Sequence, residues 1–464
     1  MTLRSIFSAR RVTKKGIGML ASLLLSLLAS QNAFAEFPSP KDEQENKQAT
    51  TNTKSVEQIQ SIEVAIKNAI DKSLQPFSGS VLLFQNGRPL LSLNKGRGVN
   101  QRTSFVIASL SKQITATLVL RAVDAGNLDL NNSLNSYLFA NSNVYDQNQQ
   151  NETEESEDFD AKFETVTQEE DITETVINPA TNEINEQELT ESASKQQTNC
   201  QPSPSTIYGI DTELQQTHSQ FNPKRYNENI TLHHLLSHTS GVDKLGRPNL
   251  FEPGSQFSYS NLGYSLLAEV LEQVNQQSFA QQLAVFSQAN GLGGLYAEVG
   301  TIDNIRQRAP SLAIGLNEAG NTLTPSGLEI TPSLLPAGGL ISTVKAFATF
   351  QQKLHSGKLM TPHSYELMTR SHTGIKFLWP DMSYGYGLRI NREDNITEYS
   401  HTGYLAGYMS MTLHYPEFNM DLVMLENISL SLNDLDRVFE LHNKIRSIIR
   451  QSLIHRKSLE SKSS

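Results

Sequence analysis

The chain contains a single cysteine, Cys200, among 464 residues. One thiol excludes any intrachain disulfide, so we expect stability to come from a large core. Beyond its first 35 residues the chain also lacks an apolar run long enough to span a membrane. It lacks the His-Glu-x-x-His pattern of zinc peptidases as well. His234 and His238 stand four residues apart, but we assign them to packing and hydrogen bonding and predict no metal and no cofactor.

The first 35 residues predict a secretory signal peptide. Basic residues between positions 10 and 15 precede an apolar run over 17–29, and Ala33-Phe34-Ala35 fits a small-residue cleavage site. We therefore expect a periplasmic or secreted protein without a stable membrane span once the signal is removed. The alternative is an uncleaved signal that anchors the chain to the membrane. The polar residues 36–54 read as a linker.

Acidic charge is concentrated in one tract. Residues 141–200 hold 16 acidic side chains and two lysines, a net of −14, whereas the whole chain is −10. The remainder (36 basic, 32 acidic) therefore nets +4, and we expect no nucleic-acid partner. Low apolar content without periodicity predicts that 141–222 is a disordered insertion. Its role is open between a neutral surface insertion and a lid or docking segment for a basic partner.

Four Ser-x-x-Lys sequences occur, and context separates them. Ser92 lies in the second arm of a predicted hairpin, Ser192 lies in the acidic tract, and Ser342 reads as the N-cap of a helix. Ser109 instead follows the apolar residues 105–108 and opens an amphipathic helical run toward Gly126.

The spacing of Ser109 and Lys112 suits nucleophilic catalysis. Residues i and i+3 share a helix face, which places the serine hydroxyl beside the lysine amine. A serine needs an adjacent base, and a lysine can serve only if burial or a nearby positive charge lowers its pKa. The helix start also offers the backbone N–H of Ser109 to a developing oxyanion.

A second motif, Tyr259-Ser260-Asn261, precedes a predicted helix over 262–273. The Tyr259 hydroxyl can relay a proton to a leaving group. The Asn261 amide can bind both a substrate carbonyl and Lys112. Taken alone, Tyr259 also fits a core tyrosine whose hydroxyl is satisfied.

The third motif, His-Thr-Gly, occurs at His372 and His401. The first copy falls in a predicted loop, whereas His401-Thr402-Gly403 precedes a predicted strand over 404–415. A strand edge with small side chains can accept an extended substrate. The backbone N–H of Tyr404 is then a candidate second oxyanion donor opposite Ser109.

These motifs, in this order, resemble the family that contains the class C β-lactamases, the serine DD-peptidases and their esterase relatives. The resemblance extends over residues 55–450 except the insertion, and it includes three further segments. They resemble the family's helix before the active-site loop (230–241), its later glycine turn (336–343) and the strand leading to the third motif (384–388). It implies roles for the motif residues: Ser109 as acylated nucleophile, Lys112 as its base, Tyr259 as proton shuttle, Asn261 as a substrate-positioning group, and His401, Thr402 and Gly403 as the strand beside the substrate.

His401 is a departure from the class C β-lactamases, which have lysine there. Histidine at this position resembles some DD-peptidases and D-amino-acid hydrolases. Because an unperturbed imidazole is charged only below about pH 6.5, we expect His401 to help bind a carboxylate when it is protonated.

The order of elements predicts an α/β fold, and the resemblance implies that this fold is of the β-lactamase/transpeptidase type. Early and late strands should join one antiparallel sheet, flanked by terminal helices, with a helical region inserted and a polar tail over 451–464.

The predicted function is an exported serine hydrolase that works through an acyl-enzyme on cell-wall-type peptides, as a DD-peptidase or D-amino-acid peptidase. A carboxylesterase or weak β-lactamase is the close alternative, and a non-turning-over penicillin-binding or scaffold protein is the alternative of another class. The partner is a small peptide, ester or β-lactam.

Overall fold

The protein is described here by a computed structural model that covers residues 62–140, 224–375 and 382–463. All of these residues belong to one unit, Val56–Ser464. The expected signal peptide, the linker and the acidic insertion 141–222 lie outside the described residues. No helix among the described residues is both long enough and apolar enough to cross a bilayer.

An eight-stranded antiparallel sheet forms the centre of the fold, and smaller sheets lie in the helical region. The strands are β1 (Gly79–Gln85), β2 (Arg88–Lys95), β3 (Ser104–Val106), β4 (Leu295–Tyr296), β5 (Gly300–Thr301), β6 (Leu316–Ala319), β7 (Thr322–Pro325), β8 (Glu329–Ile330), β9 (Ile341–Thr343), β10 (Thr373–Ile375), β11 (Met382–Tyr384), β12 (Arg389–Glu393), β13 (Ile396–Leu405), β14 (Tyr408–Tyr415), β15 (Met420–Glu426) and β16 (Ile428–Ser429).

The helices begin and end as follows: α1 (residues 62–71), α2 (Ser111–Asp124), α3 (Leu134–Leu138), α4 (Leu232–Leu236), α5 (Asn261–Asn275), α6 (Phe279–Ala289), α7 (Ile302–Arg308), α8 (Val344–His355), α9 (Pro362–Met368), α10 (Leu435–Val438) and α11 (Glu440–Ser463). Two 3₁₀ turns, Ala108–Leu110 and Pro416–Phe418, and one π-helical turn, Leu335–Gly339, complete the elements.

The central sheet joins the two ends of the chain, as the order of elements predicted. Its strand order is β10-β11-β12-β13-β14-β15-β1-β2, so the first hairpin pairs with the last long strand. β1 and β15 are antiparallel, with Gly79 opposite Glu426 and Gln85 opposite Met420. Both faces of the middle strands β14 and β15 are buried.

Each face of the sheet has its own core. On one face, α1 and α11 contribute Ile66 and Ile445 to a cluster with Leu83 and Met411. On the other face, the helical region packs a larger cluster that includes Phe105 and Val423. The layers are therefore terminal helices, sheet and inserted helical region. The last helix runs to Ser463, across the expected boundary at residue 450.

Two expected strands are hairpins instead. The predicted strand over 404–415 divides into the end of β13 and all of β14, with a turn at Gly407, where φ is +85°. The segment 384–388 is the turn between β11 and β12, and Gly387 has φ +71°. A left-handed backbone favours glycine, and apolar residues on both sides of each turn concealed the break.

Candidate active site

Ser109 lies in the 3₁₀ turn that precedes α2, and its side chain is 6% exposed. The α-helix begins at Ser111, two residues later than the sequence predicted. Ala108 has φ +47° although it carries a side chain, and it is fully buried. Backbone held in such a region costs on the order of 1–3 kcal/mol and persists only where surrounding contacts impose it. The serine is therefore presented by a strained, tightly packed turn.

Strand β13 lies directly against this turn. A side chain at Gly403 would place its Cβ 2.9 Å from the backbone N of Ser109 and 2.8 Å from Ala108 Cβ, so only glycine fits. β12 pairs with β13 no further than Ser400, whereas β14 pairs with β13 through Leu405. The segment from His401 to Leu405 is thus strand-paired on one edge only, and the Ser109 turn lies beside it.

Lys112 is fully buried, and its Nζ lies within hydrogen-bonding distance of oxygen atoms from separate parts of the chain. Its partners are Asn261 Oδ1 at 2.6 Å, the carbonyl oxygen of Ala337 at 2.8 Å and Ser109 Oγ at 3.3 Å. Two of these acceptors come from other parts of the chain, so tertiary structure fixes the amine next to the nucleophile.

The tyrosine motif closes the other side of the lysine. Nζ of Lys112 lies 4.5 Å from the centre of the Tyr259 ring, within the range of a cation–π contact. Ser260 caps α5 by accepting a hydrogen bond from the N–H of Gly263, and Asn261 is the first residue of that helix. The cap turns Asn261 toward Lys112. The three predicted motifs therefore meet in space.

Ala337 is a site residue that sequence analysis missed. It belongs to the buried π-helical turn Leu335–Gly339, which the sequence indicated only as a glycine turn. The same turn accepts a hydrogen bond from Thr115 on the carbonyl of Pro336, at 2.7 Å. π-Helical turns occur frequently at functional sites, and here the turn directs a backbone carbonyl at the lysine.

His401 differs from the expected titrating cation. It is fully buried, with Nε2 2.9 Å from the Tyr384 hydroxyl and Nδ1 2.6 Å from the carbonyl oxygen of Thr402. Burial, together with the positive charges of Arg389 and Lys112, holds the pKa of His401 well below its ordinary value. The imidazole is therefore neutral at physiological pH.

Arg389 supplies the charge that His401 does not, and sequence analysis did not identify it. It lies on β12, is 6% exposed, and donates from a terminal guanidinium nitrogen to Thr402 Oγ1 at 2.7 Å. The sequence offered no signal for it, because β12 is mostly polar and the burial of Arg389 is a consequence of the tertiary structure.

The decoy motifs lie apart from this geometry. Ser92 is in β2, and Ser342 is in β9; Thr343, not Ser342, caps α8. Ser192 lies outside the described residues. His372 stacks on Tyr386 with 4.2 Å between ring centres, and its Nε2 donates a hydrogen bond to the carbonyl oxygen of Leu367.

His234 and His238, whose spacing could suggest a metal site, each have a hydrogen-bond partner at Nδ1. His234 Nδ1 accepts from the N–H of Thr231, and His238 Nδ1 accepts from the N–H of Ser260. Elsewhere, His355, His414 and Asp421 place one potential ligand atom each within 4.8 Å of one another. The two imidazoles there are parallel, 3.7 Å apart, so their in-plane lone pairs do not converge on one point.

Comparisons with known proteins identify the family. Residues 67–442 match the family model described as Beta-lactamase. Protein flp of Staphylococcus aureus (strain MW2) is 24% identical over 241 residues, and the match spans 46% of this chain and 46% of that protein. The chain thus spans about half the length of this curated relative.

Two solved structures share the fold. The penicillin binding protein from Bacillus halodurans has a TM-score of 0.54 at 18% identity, over 83% of this chain and 98% of that one. The D-amino acid amidase from Ochrobactrum anthropi SV3 has a TM-score of 0.56 at 15% identity, over 84% and 99%. With the family model matched over most of its length, the chain belongs to the Beta-lactamase family of serine hydrolases.

Proposed function

We propose that the protein hydrolyses peptide or amide bonds next to a D-amino acid through an acyl-enzyme on Ser109, as a DD-peptidase or D-amino-acid peptidase. The observation that carries the proposal is the arrangement of acceptors around Lys112 Nζ. A likeness in fold to the D-amino acid amidase supports the same substrate class.

The contacts of Lys112 suit a neutral amine acting as base. A neutral amine has two N–H groups and one lone pair. Asn261 Oδ1 and the Ala337 carbonyl can accept only, so they take the two N–H groups. The lone pair then faces Ser109 Oγ at 3.3 Å, where it can take the hydroxyl proton.

The developing oxyanion has a place between the turn and the strand. No backbone hydrogen bond from the N–H of Ser109 is made within the described ranges. Gly403 lets β13 approach this N–H closely, and Tyr404 follows on the same strand. We assign the N–H groups of Ser109 and Tyr404 to the oxyanion and the open edge of β13 to the substrate backbone.

A buried cation favours a substrate carboxylate. Arg389 is almost inaccessible to water and is held by Thr402 on the substrate strand. Charge–charge attraction is strengthened where solvent is excluded. We assign a free terminal carboxylate of the substrate to Arg389 and Thr402, with His401 in a neutral, orienting role.

The test compares one D-Ala-D-Ala peptide with the same peptide amidated at its terminus. Arg389→Met should lower kcat/KM for the free acid by a factor on the order of 10–100, the worth of a hydrogen bond to a charged group, and change the amidated peptide far less. Arg389→Lys should keep part of the preference. An equal loss on both peptides would remove the carboxylate role. Faster turnover of a neutral ester than of either peptide by the wild type would favour a carboxylesterase.

Export belongs to the same proposal. The expected signal, residues 1–35, lies outside the described residues, so its evidence is the sequence pattern alone. Amino-terminal sequencing of protein recovered from the periplasm should give Glu36 first. Recovery of the uncleaved chain with the membrane fraction would favour a signal anchor.

A further inference from the structure

His238 has an unusual backbone conformation close to the catalytic motifs. It follows the short helix α4 (Leu232–Leu236), has φ +58° and is fully buried. A β-carbon disfavours the left-handed region, so the surrounding contacts must hold this residue there. His238 is therefore held in a strained conformation by tertiary contacts.

His238 contacts the residues on both sides of Tyr259. Its carbonyl oxygen accepts a hydrogen bond from the N–H of Ser258 at 2.8 Å. Its Nδ1 accepts one from the N–H of Ser260 at 3.0 Å. Its ring packs against the Tyr259 ring with 4.3 Å between centres. One residue therefore fixes the backbone before and after the tyrosine and also one face of the tyrosine ring.

The other surroundings of the imidazole keep it neutral. Tyr264 and Tyr384 pack around it at 5.0 and 4.9 Å between ring centres. Burial, then the charges of Lys112 and Arg389, hold the pKa of His238 well below its ordinary value. A backbone N–H can only donate, so the bond to Ser260 requires an unprotonated Nδ1 and places the proton on Nε2. That Nε2 is buried and has no hydrogen-bond partner among the described residues.

We infer that His238 is a positioning residue for Tyr259: it holds the tyrosine hydroxyl where a proton can pass to the leaving group. This inference rests on the proposed role of Tyr259 as proton shuttle. The left-handed backbone turns the carbonyl and the ring of one residue toward the same loop. His238 itself contacts neither nucleophile nor substrate in this assignment.

The leaving group makes the inference testable. In acylation, Ser109 Oγ bonds to the acyl carbon and its proton goes to Lys112. The bond from that carbon to the leaving group breaks, with the electron pair on the leaving atom. An amine must then receive a proton, which Lys112 returns through Tyr259, whereas a p-nitrophenolate leaves without one. Misplacing Tyr259 should therefore slow amides more than activated esters.

The experiment measures kcat/KM for a primary amide and for the p-nitrophenyl ester of the same D-amino acyl group. His238→Gly removes ring and acceptor without backbone strain, and the amide-to-ester ratio should fall by a factor on the order of 10–100. His238→Asn tolerates a left-handed backbone and offers an amide oxygen near the Nδ1 position, so its ratio should remain within about threefold of the wild type. Tyr259→Phe is the reference and should lower the ratio at least as far as His238→Gly.

A ratio does not depend on how much of a variant folds, so a general loss of structure cannot imitate the effect. His238→Ala, which also lacks the ring and the acceptor, is measured beside His238→Gly as a second acceptor-free variant. An unchanged ratio in the acceptor-free variants, with a lowered ratio in Tyr259→Phe, overturns the role of His238 and leaves that of Tyr259. An unchanged ratio in Tyr259→Phe overturns both.

Discussion

At the scale of single residues, the site depends on how Lys112 is surrounded. Its amine reaches Ser109, Asn261 and Ala337, which come from three separate parts of the chain. The amine of a surface lysine would be solvated by water and would remain charged. In the proposed mechanism, burial and the neighbouring acceptors favour a neutral Lys112 that can act as base toward Ser109.

Replacing Lys112 with alanine should slow acylation by a factor on the order of 10²–10⁴, the usual worth of a general base. Lys95→Ala is the matched control, because Lys95 ends the decoy motif at Ser92 and pairs with Asp71 at the surface. Rapid-mixing measurement of acyl-enzyme formation gives the rate. An unchanged rate in the Lys112 variant would exclude it from the mechanism.

At the scale of elements, we expect catalysis to depend on the close contact between β13 and the turn Ala108–Leu110. Gly403→Ala would direct a methyl group at the N–H of Ser109 and at Ser410 Oγ, 2.3 Å away, so a part of the site must move. We expect acylation to fall at least about tenfold, because an oxyanion donor typically contributes 10²–10³. Gly374→Ala is the control, since its Cβ would meet nothing within 4 Å. Equal activity of both variants would show that the contact is not needed.

The helical region also shows how the expected insertion can be accommodated. Asn135 exchanges two hydrogen bonds with the backbone of Tyr226, at 2.8 and 3.1 Å. Leu134 donates to the carbonyl of Ile230 at 2.7 Å. The chain on the two sides of residues 141–222 is thus joined by contacts that do not involve the insertion.

Deletion of residues 141–222, with a short Gly/Ser bridge, should leave a folded protein that still forms the acyl-enzyme. Compared with a connection of about 10 residues, the insertion adds only roughly 2 kcal/mol of loop-closure entropy to the cost of folding. Deleting the insertion removes this cost and should not destabilise the domain. Circular dichroism melting and active-site labelling are the measurements. Loss of a cooperative transition would show that the segment belongs to the core.

The sequence could predict those site residues that belong to short motifs, because such a motif is visible within a few neighbouring positions. Ser109, Lys112, Tyr259 and Asn261 could be found because short motifs carry them. The contributions of Ala337 and Arg389 arise from distant segments meeting, which no local spacing encodes. The neutral state of His401 has the same origin, because its burial and the nearby cations are tertiary. The turns at 385–388 and 406–407 were missed because apolar residues continue through them.

At the scale of the whole molecule, many histidine side chains lie in surroundings that favour their neutral form. Six described histidines have a pKa held below its ordinary value, chiefly by burial: His233, His234, His238, His355, His372 and His401. The unfolded chain therefore binds more protons than the folded one below about pH 6.5. Their stabilising contribution is complete above that pH and is lost as the pH falls toward the folded values.

Acid should accordingly destabilise the fold. Each such histidine can contribute up to about 1.4 kcal/mol per pH unit between its unfolded and folded pKa values. For His233, burial and the neighbouring His372 and His234 lower the pKa to about 4, which sets a window between pH 6.5 and 4. Urea unfolding across this range should show the slope, and His233→Gln should reduce it. The exposed His363→Gln is the control, and an equal slope in all three proteins would contradict the account.

The central claim, that Ser109 alone is acylated, is tested most directly by peptide-mapping mass spectrometry after reaction with a fluorophosphonate or a penicillin. The wild type should carry one adduct, on Ser109. Ser109→Ala should carry none, and Ser342→Ala should be labelled like the wild type, because Ser342 is fully buried in β9 and its hydroxyl donates to the carbonyl of Thr343. An adduct that persists in Ser109→Ala and disappears in Ser342→Ala would contradict the account.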